Sequence, residues 1–361
     1  MQHSRVNYNV TRLGLRLLST LAMQLPTTLL AADSGQRTDV ELTAGTWRVE
    51  FDNDAFFDSD NKFTSGISVQ RHSNLATSWD DVRMPGWTKF GRRLPGLHRA
   101  DSYRRMGVSM GQNLQTPDDL EATELILDDV PYAAALGVEL NWTAFDDDVF
   151  QGYGLLFGVI GPLAAGEPVQ KIFHELNGSA EARGWDHQLA SELVVNFNGM
   201  HKRKIGALGN PEAWSADLAI DADFGVGTAL VFAEAALELR AGFNVPRGFA
   251  FAPDPIGRTL AYDAVLWRPV TQGVSVYVSA VARAVWMPHF VFLDGSLFRD
   301  GHSIDKDSTL SQTITGLHVG WRRWSVHFSS WRSSASVLSP APDPSNHFGT
   351  IAIDWKFNFP Q

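Results

Sequence analysis

The chain has 361 residues, with 30 Lys and Arg against 40 Asp and Glu, a net charge of −10. That acidic balance argues against a general nucleic-acid binder, which needs a basic face for phosphates. A hydrophobic content of 44% excludes a disordered chain, and the absence of cysteine excludes disulfides, thiolate nucleophiles and Cys-held metals.

The N-terminus is basic at Arg5, Arg12 and Arg16, then apolar from Leu17 to Ala32, then acidic and polar from Asp33. This layout predicts a secretory signal peptide over residues 1–32, cleaved near Ala31 or Ala32. Residues 33–361 then form one domain, because no composition shift divides them. No later segment offers 18 uninterrupted apolar residues, so a helical membrane protein is excluded.

The first strand reads as Trp47, Val49 and Phe51 alternating with Arg48, Glu50 and Asp52. It runs into Phe51-Asp52-Asn53-Asp54, and Asp58 and Asp60 follow before Phe63-Thr64-Ser65-Gly66 opens the next strand. Asp52, Asn53, Asp54, Asp58 and Asp60 concentrate hard oxygen donors of the kind Ca²⁺ takes. The EF-hand glycine and terminal glutamate are missing, and read alone the cluster is equally a polar turn with Asx caps.

Trp79 to Arg105 is rich in Pro, Gly and basic residues (Arg92, Arg93, His98, Arg99, Arg104, Arg105), which predicts an extended loop, either at a membrane surface or simply solvated. A strand then ends at Gly161-Pro162. A short helix is predicted from Glu167 or Pro168, stopped by Gly178. Gln170 and His174, four apart, share one helix face. A histidine there can serve as general base, with the glutamine orienting it or binding substrate; read alone, they are equally a surface pair.

The later strands alternate cleanly. Leu193, Val195 and Phe197 share one face; so do Leu218 to Val226 at even positions, and Ala235, Leu237, Leu239 and Ala241. After the Pro340–Pro344 loop, the final strand puts Ile351, Ile353, Trp355, Phe357 and Phe359 on one face. Such strands suit a soluble sandwich or a transmembrane barrel. Export, the aromatic terminal strand and the 12 Trp and 22 Phe favour the antiparallel transmembrane β-barrel, whose interfacial girdles use aromatics.

The Asn53-Asp54 pair, Thr64 and Gly66, Gly111-Gln112, Thr116-Pro117, Pro131-Tyr132-Ala133, Gly161-Pro162 with Gln170-x-x-x-His174, and Trp185-x-x-Gln188 together resemble the lipid A 3′-O-deacylases of Gram-negative outer membranes. The likeness runs from about Trp47 to Glu192. It implies a 12-stranded outer-membrane barrel, with the site between the wall and a short helix. It also implies Ca²⁺-dependent hydrolysis of an ester of lipid A, the lipid part of lipopolysaccharide. Carried over by position, the catalytic residues are His174, Gln170, Asn53, Asp54 and Thr64. Asp54 and Asn53 hold the metal, and Ser65 and Gly66 lie at the oxyanion or substrate. Phe63, Ser65 and Val130 depart from the family, and Glu121-Ala122-Thr123 replaces a basic pair. No Gly-x-Ser-x-Gly elbow occurs, so a water is the expected nucleophile. The alternatives are a Ca²⁺-dependent outer-membrane phospholipase and a barrel without activity, serving as porin or scaffold.

Overall fold

Period-two sequences become twelve antiparallel strands: β1 (Ala44–Asn53), β2 (Phe63–His72), β3 (Tyr103–Gln115), β4 (Ala133–Phe145), β5 (Val149–Ile160) and β6 (Glu192–Gly209), then β7 (Trp214–Gly227), β8 (Leu230–Phe243), β9 (Val274–Phe290), β10 (Thr309–Trp321), β11 (Trp324–Ser333) and β12 (His347–Asn358). Each pairs with its sequence neighbours, and β1 pairs with β12 from Ala44↔Asn358 to Asn53↔Gly349, which closes the barrel. Closure leaves no unpaired strand edge, the condition for a sheet to cross a bilayer.

The computed structural model describes residues 44–57, 63–177, 181–249, 273–321, 323–334 and 347–358. All of them belong to the unit Arg37–Gln361. The expected signal peptide, Asp58, Asp60, Gly178, the Pro340–Pro344 loop and Phe359 lie outside the described residues. Among the described residues no helix is long and apolar enough to cross a membrane.

The wall is inverted relative to a soluble protein. Trp47, Val195, Phe224, Val226, Leu237, Val278, Val319, Ile353 and Trp355 face outward and are exposed, while Arg48, Glu50, Lys202, Glu238, Arg240, His327 and Asp354 point inward and are buried. A sandwich would bury the first set. An outward apolar band with a polar interior is the membrane-barrel pattern, as the alternation predicts.

The lumen is filled rather than open. Arg48 donates to both Asp354 oxygens at 2.5 and 2.9 Å, and His327 Nε2 to Asp354 at 2.9 Å. His318 meets His327 at 2.5 Å and Ser279 at 2.8 Å. Donor and acceptor roles run consistently along this chain, from the Ser279 hydroxyl to the Asp354 carboxylate, with both imidazoles neutral. At the rim that carries the start of β1 and the end of β12, Leu75, Phe145, Phe150, Met200, Ala219 and Phe249 form an internal cluster. Arg240 ties residues 246–249 over that rim by donating to the carbonyls of Pro246, Gly248 and Phe249.

The predicted loop after β2 folds back against the outside of the wall. Trp79, Val82 and Leu97 pack with Met106, Trp142 and Ala144, which face outward from β3 and β4. The Trp142 indole donates to Thr88 O at 2.8 Å. Gly91 lies flat on that indole; a Cβ there would come within 2.3 Å of it. Trp87 on this loop is 72% exposed. The loop thus covers the outer wall of β3 and β4, and its boundary differs from the expectation. It ends at Ser102, and Arg104 and Arg105 belong to β3. Arg105 points into the lumen and donates to Thr46 at 2.8 Å; Arg104 serves the loop carbonyls of Thr77, Arg99 and Ser102. Both guanidiniums are buried as hydrogen-bond donors instead of facing headgroups.

Candidate functional site between the wall and a short helix

The helix appears where the sequence placed it, as α1 (Gly166–Asn177), and it lies along the outer face of β3 and β4. Two glycines make the approach possible. Gly161, at φ +74°, turns the chain after β5 where a Cβ would strike Leu189 O at 2.3 Å. Gly166 starts the helix 2.5 Å, for an added Cβ, from the Ala134 methyl. Gln112, outward on β3, donates to Ala164 O at 2.6 Å and pins the turn. Leu114, Tyr132, Ala134, Ala164 and Trp185 form the buried seam beneath. Tyr132 packs on Trp185 with ring centroids 5.0 Å apart and planes tilted by 55°, and it donates to Leu120 O. Burial pushes its phenol above the ordinary range, so it remains a neutral donor.

Gln170 faces this seam and is 2% exposed. Its Oε1 accepts from Trp185 Nε1 at 2.7 Å. That bond leaves the amide nitrogen as a buried donor with no hydrogen-bond acceptor among the described residues. A buried donor in that state costs about 1–3 kcal/mol, so the site is built for an acceptor brought by a ligand or water. His174, one turn further, is half-buried.

The adjacent Phe173 stacks on Phe51 at 6.2 Å and 25°. This contact brings the His174 turn of α1 to the end of β1, two residues before Asn53. Phe51 also meets Phe56 edge-on at 5.9 Å, and Phe56 meets Phe328 at 6.4 Å. The cleft thus has an apolar lip open to the outward face.

The remaining site residues follow from the β1 alternation. Asn53 continues the outward series Trp47, Val49, Phe51, and pairs with Ser65 across β2. Asp54 opens the 3₁₀ turn Asp54–Phe57. Gly66 sits beside them, opposite Asp52, and a bulge between Phe63 and Ser65 carries Thr64 out of register. So Asn53, Asp54, Thr64, Ser65 and Gly66 share one strand end, and the Phe51–Phe173 stack brings the turn that carries His174 to it, while Gln170 faces the Trp185 seam. Of the five hard-oxygen residues read from the sequence, Asp52 does not join. It turns into the lumen and accepts from Thr350 at 2.5 Å. Asp58 and Asp60 lie outside the described residues, so Asn53 and Asp54 are the two described residues of the five at this strand end, an amide oxygen and a carboxylate of the hard-donor type that Ca²⁺ takes.

Sequence reasoning missed the Phe51–Phe173 stack and the Trp185 bond to Gln170. Two other carboxylates of this stretch lie apart from the strand end. Glu192 starts β6 buried in the lumen and accepts from Phe298 N, whereas Glu181 is exposed beside Arg183. Val130, one of the positions that depart from the resemblance, packs with Leu293 in a buried apolar pair against Phe290 and Ile304.

The chain matches the family described as outer membrane protein LpxR over residues 15–357, and it belongs to that family. Its fold is that of LpxR from Salmonella typhimurium, at 15% identity and a TM-score of 0.67, covering 86% of this chain and 99% of that one. Two other barrels align less closely. The β domain of the Bordetella autotransporter BrkA has 10% identity and a TM-score of 0.41, over 88% of this chain and all of that one. The translocator domain of NalP from Neisseria meningitidis has 9% identity and a TM-score of 0.36, over 96% of each chain. No curated protein sequence matches. The protein resides in the bacterial outer membrane, as family and architecture both require.

Proposed function

We propose that this outer-membrane protein is an esterase that hydrolyses the 3′-linked acyloxyacyl group of lipid A in the cleft between the end of β1 and α1. The observation that carries the reading is the Phe51–Phe173 stack, which sets the His174 turn against the Asn53-Asp54 strand end on the lipid-facing side of the wall. An ester of a membrane lipid reaches that cleft laterally, with its acyl chains along Phe51, Phe56 and Phe328. The short turns at residues 146–148 and 210–213 support a periplasmic position for their rim, which puts the cleft at the outer leaflet, where lipopolysaccharide lies.

His174 takes a proton from a water as that water adds to the ester carbonyl carbon. The proton returns to the sugar oxygen as the carbon–oxygen bond breaks, giving a carboxylic acid and a free hydroxyl. The Gln170 amide, held by Trp185, donates to the water or to the substrate. Thr64 and the backbone N–H groups beside Ser65 and Gly66 supply donors for the developing oxyanion. Ca²⁺ held by Asp54 and Asn53 would supply positive charge at the ester carbonyl and offset the repulsion between lipid A phosphates and the acidic strand end.

The test offers detergent-purified protein lipid A and glycerophospholipid side by side. Release of fatty acid from lipid A alone supports the deacylase. Release from glycerophospholipid alone moves the same cleft to a phospholipase. The filled lumen argues against the porin alternative.

A further inference from the structure

Exposed tryptophans ring the wall at the rim that carries the start of β1 and the end of β12. Trp47, Trp214, Trp321, Trp324 and Trp355 each lie within three residues of their strand end there. Trp142 has the same place on β4, three residues before Phe145, yet it is 1% exposed, because the loop between β2 and β3 covers it. Arg99, near the end of that loop, pairs with Asp146 in the β4–β5 turn, which sets the loop at this rim. An aromatic girdle marks where a barrel wall crosses the boundary between membrane and water. The loop thus takes the outward position that a girdle tryptophan holds elsewhere on the rim.

What it presents there follows from its 3₁₀ helix, Gly86–Arg93. With about three residues per turn, side chains three apart eclipse, so the helix has three faces. Thr88 and Gly91 are buried on the wall face, where Thr88 O accepts from the Trp142 indole and Gly91 lies on its ring. Lys89 and Arg92 form the second face and return to the loop itself, Lys89 to the carbonyls of Trp79 and Asp80 and Arg92 to the Asp80 carboxylate. Trp87, Phe90 and Arg93 form the third face, and all three are exposed, Phe90 at 56%. Charge points the same way. Residues 79–100 carry Arg83, Lys89, Arg92, Arg93 and Arg99 against Asp80 and Asp81, 5 − 2 = +3, in a chain whose net charge is −10.

We propose that this third face is an interfacial anchor for anionic glycerophospholipid of the inner leaflet, with Trp87 and Phe90 at the headgroup boundary and Arg93 on a lipid phosphate. The proposal rests on the periplasmic position of this rim and not on the hydrolysis, whose cleft lies at the other end of the wall. Continuity with the tryptophan girdle and the local positive charge commit the face to a lipid surface. An indole at that boundary buries its ring and keeps its N–H among polar headgroups. A guanidinium takes two phosphate oxygens at once. The helix is already fixed by Thr88 and Gly91, so little order is lost when lipid binds.

The chain has no cysteine, and a Cβ on Gly86 meets nothing within 4 Å, so Gly86→Cys accepts a single spin label at the head of the helix. In full-length protein reconstituted into vesicles of phosphatidylcholine and phosphatidylglycerol, the label should be open to oxygen dissolved in the bilayer and shielded from a water-soluble nickel chelate. Native mass spectrometry of the detergent-purified protein then titrates each lipid separately. The wild type should bind phosphatidylglycerol more tightly than phosphatidylcholine. Arg93→Gln should weaken the tightest phosphatidylglycerol about fivefold, the worth of one guanidinium at an anionic surface, and adding Trp87→Ala should weaken it further. Both positions are exposed, and heat-modifiable gel mobility shows whether each variant is a folded barrel. A label open to the nickel chelate overturns the proposal and makes the loop a solvated surface. So does unchanged phosphatidylglycerol affinity in folded Arg93→Gln/Trp87→Ala.

Discussion

Trp185 Nε1 donates to Gln170 Oε1 at 2.7 Å, across 15 residues of sequence, and this one bond decides which end of the Gln170 amide is left to donate. With the oxygen occupied, the NH₂ group is turned to where an acceptor is needed. Trp185 is in this sense a positioning residue. Trp185→Phe keeps the ring against Tyr132 and removes the donor. Steady-state kinetics should show kcat about tenfold lower, the equivalent of one hydrogen bond of about 1.4 kcal/mol, with KM little changed. Gln170→Ala should cost at least as much, and the double variant little more, because both act through one amide.

The lumen network makes a stability prediction. Arg48 and Asp354 are a buried bidentate pair, and His327 depends on the same carboxylate. Arg48→Ala leaves that carboxylate short of its main partner and should cost about 3–5 kcal/mol in urea unfolding of the refolded barrel. Replacing both partners by apolar residues of similar volume should cost less than Arg48→Ala alone.

Gly91 tests the docking of the loop on the outer wall. Any Cβ there meets the Trp142 ring, so Gly91→Val must lift residues 86–93 from the wall. Limited trypsin digestion should then cut at Lys89, Arg92 or Arg93, which remain protected in the parent chain. Equal protection in the variant would mean that the glycine is not required for contact.

Gly166→Leu should separate α1 from the wall, since its Cβ would fall 2.5 Å from Ala134 and 2.6 Å from Trp185. Loss of hydrolysis is expected with heat-modifiable mobility retained, because the barrel strands do not depend on the helix.

Much of this was readable from period two alone. The alternation at Leu218–Val226 and Ile351–Phe357 gave both faces of the wall, and the same rule, applied to Phe51, excludes Asp52 from the cleft by sending it inward. The helix was readable because Pro168 and the Gln170–His174 spacing are local signals. Arg104 and Arg105 were misplaced because a basic run reads as loop, while here the Arg105 guanidinium finds a hydroxyl in the lumen and that of Arg104 finds the carbonyls of the loop packed on the outer wall. The Phe51–Phe173 and Gln170–Trp185 contacts were out of reach for a different reason. Each joins segments whose approach depends on barrel closure and on the Gly161 and Gly166 turns, which no local pattern encodes.

The measurement that bears most directly on the account is mass spectrometry of lipid A after incubation with wild type or His174→Ala, with Ca²⁺ or with EDTA. Loss of the 3′-linked acyloxyacyl mass only with wild type and Ca²⁺, and a rate about 10²–10⁴-fold lower for His174→Ala, is the predicted result. Full hydrolysis by His174→Ala, or hydrolysis undiminished by EDTA, would contradict it.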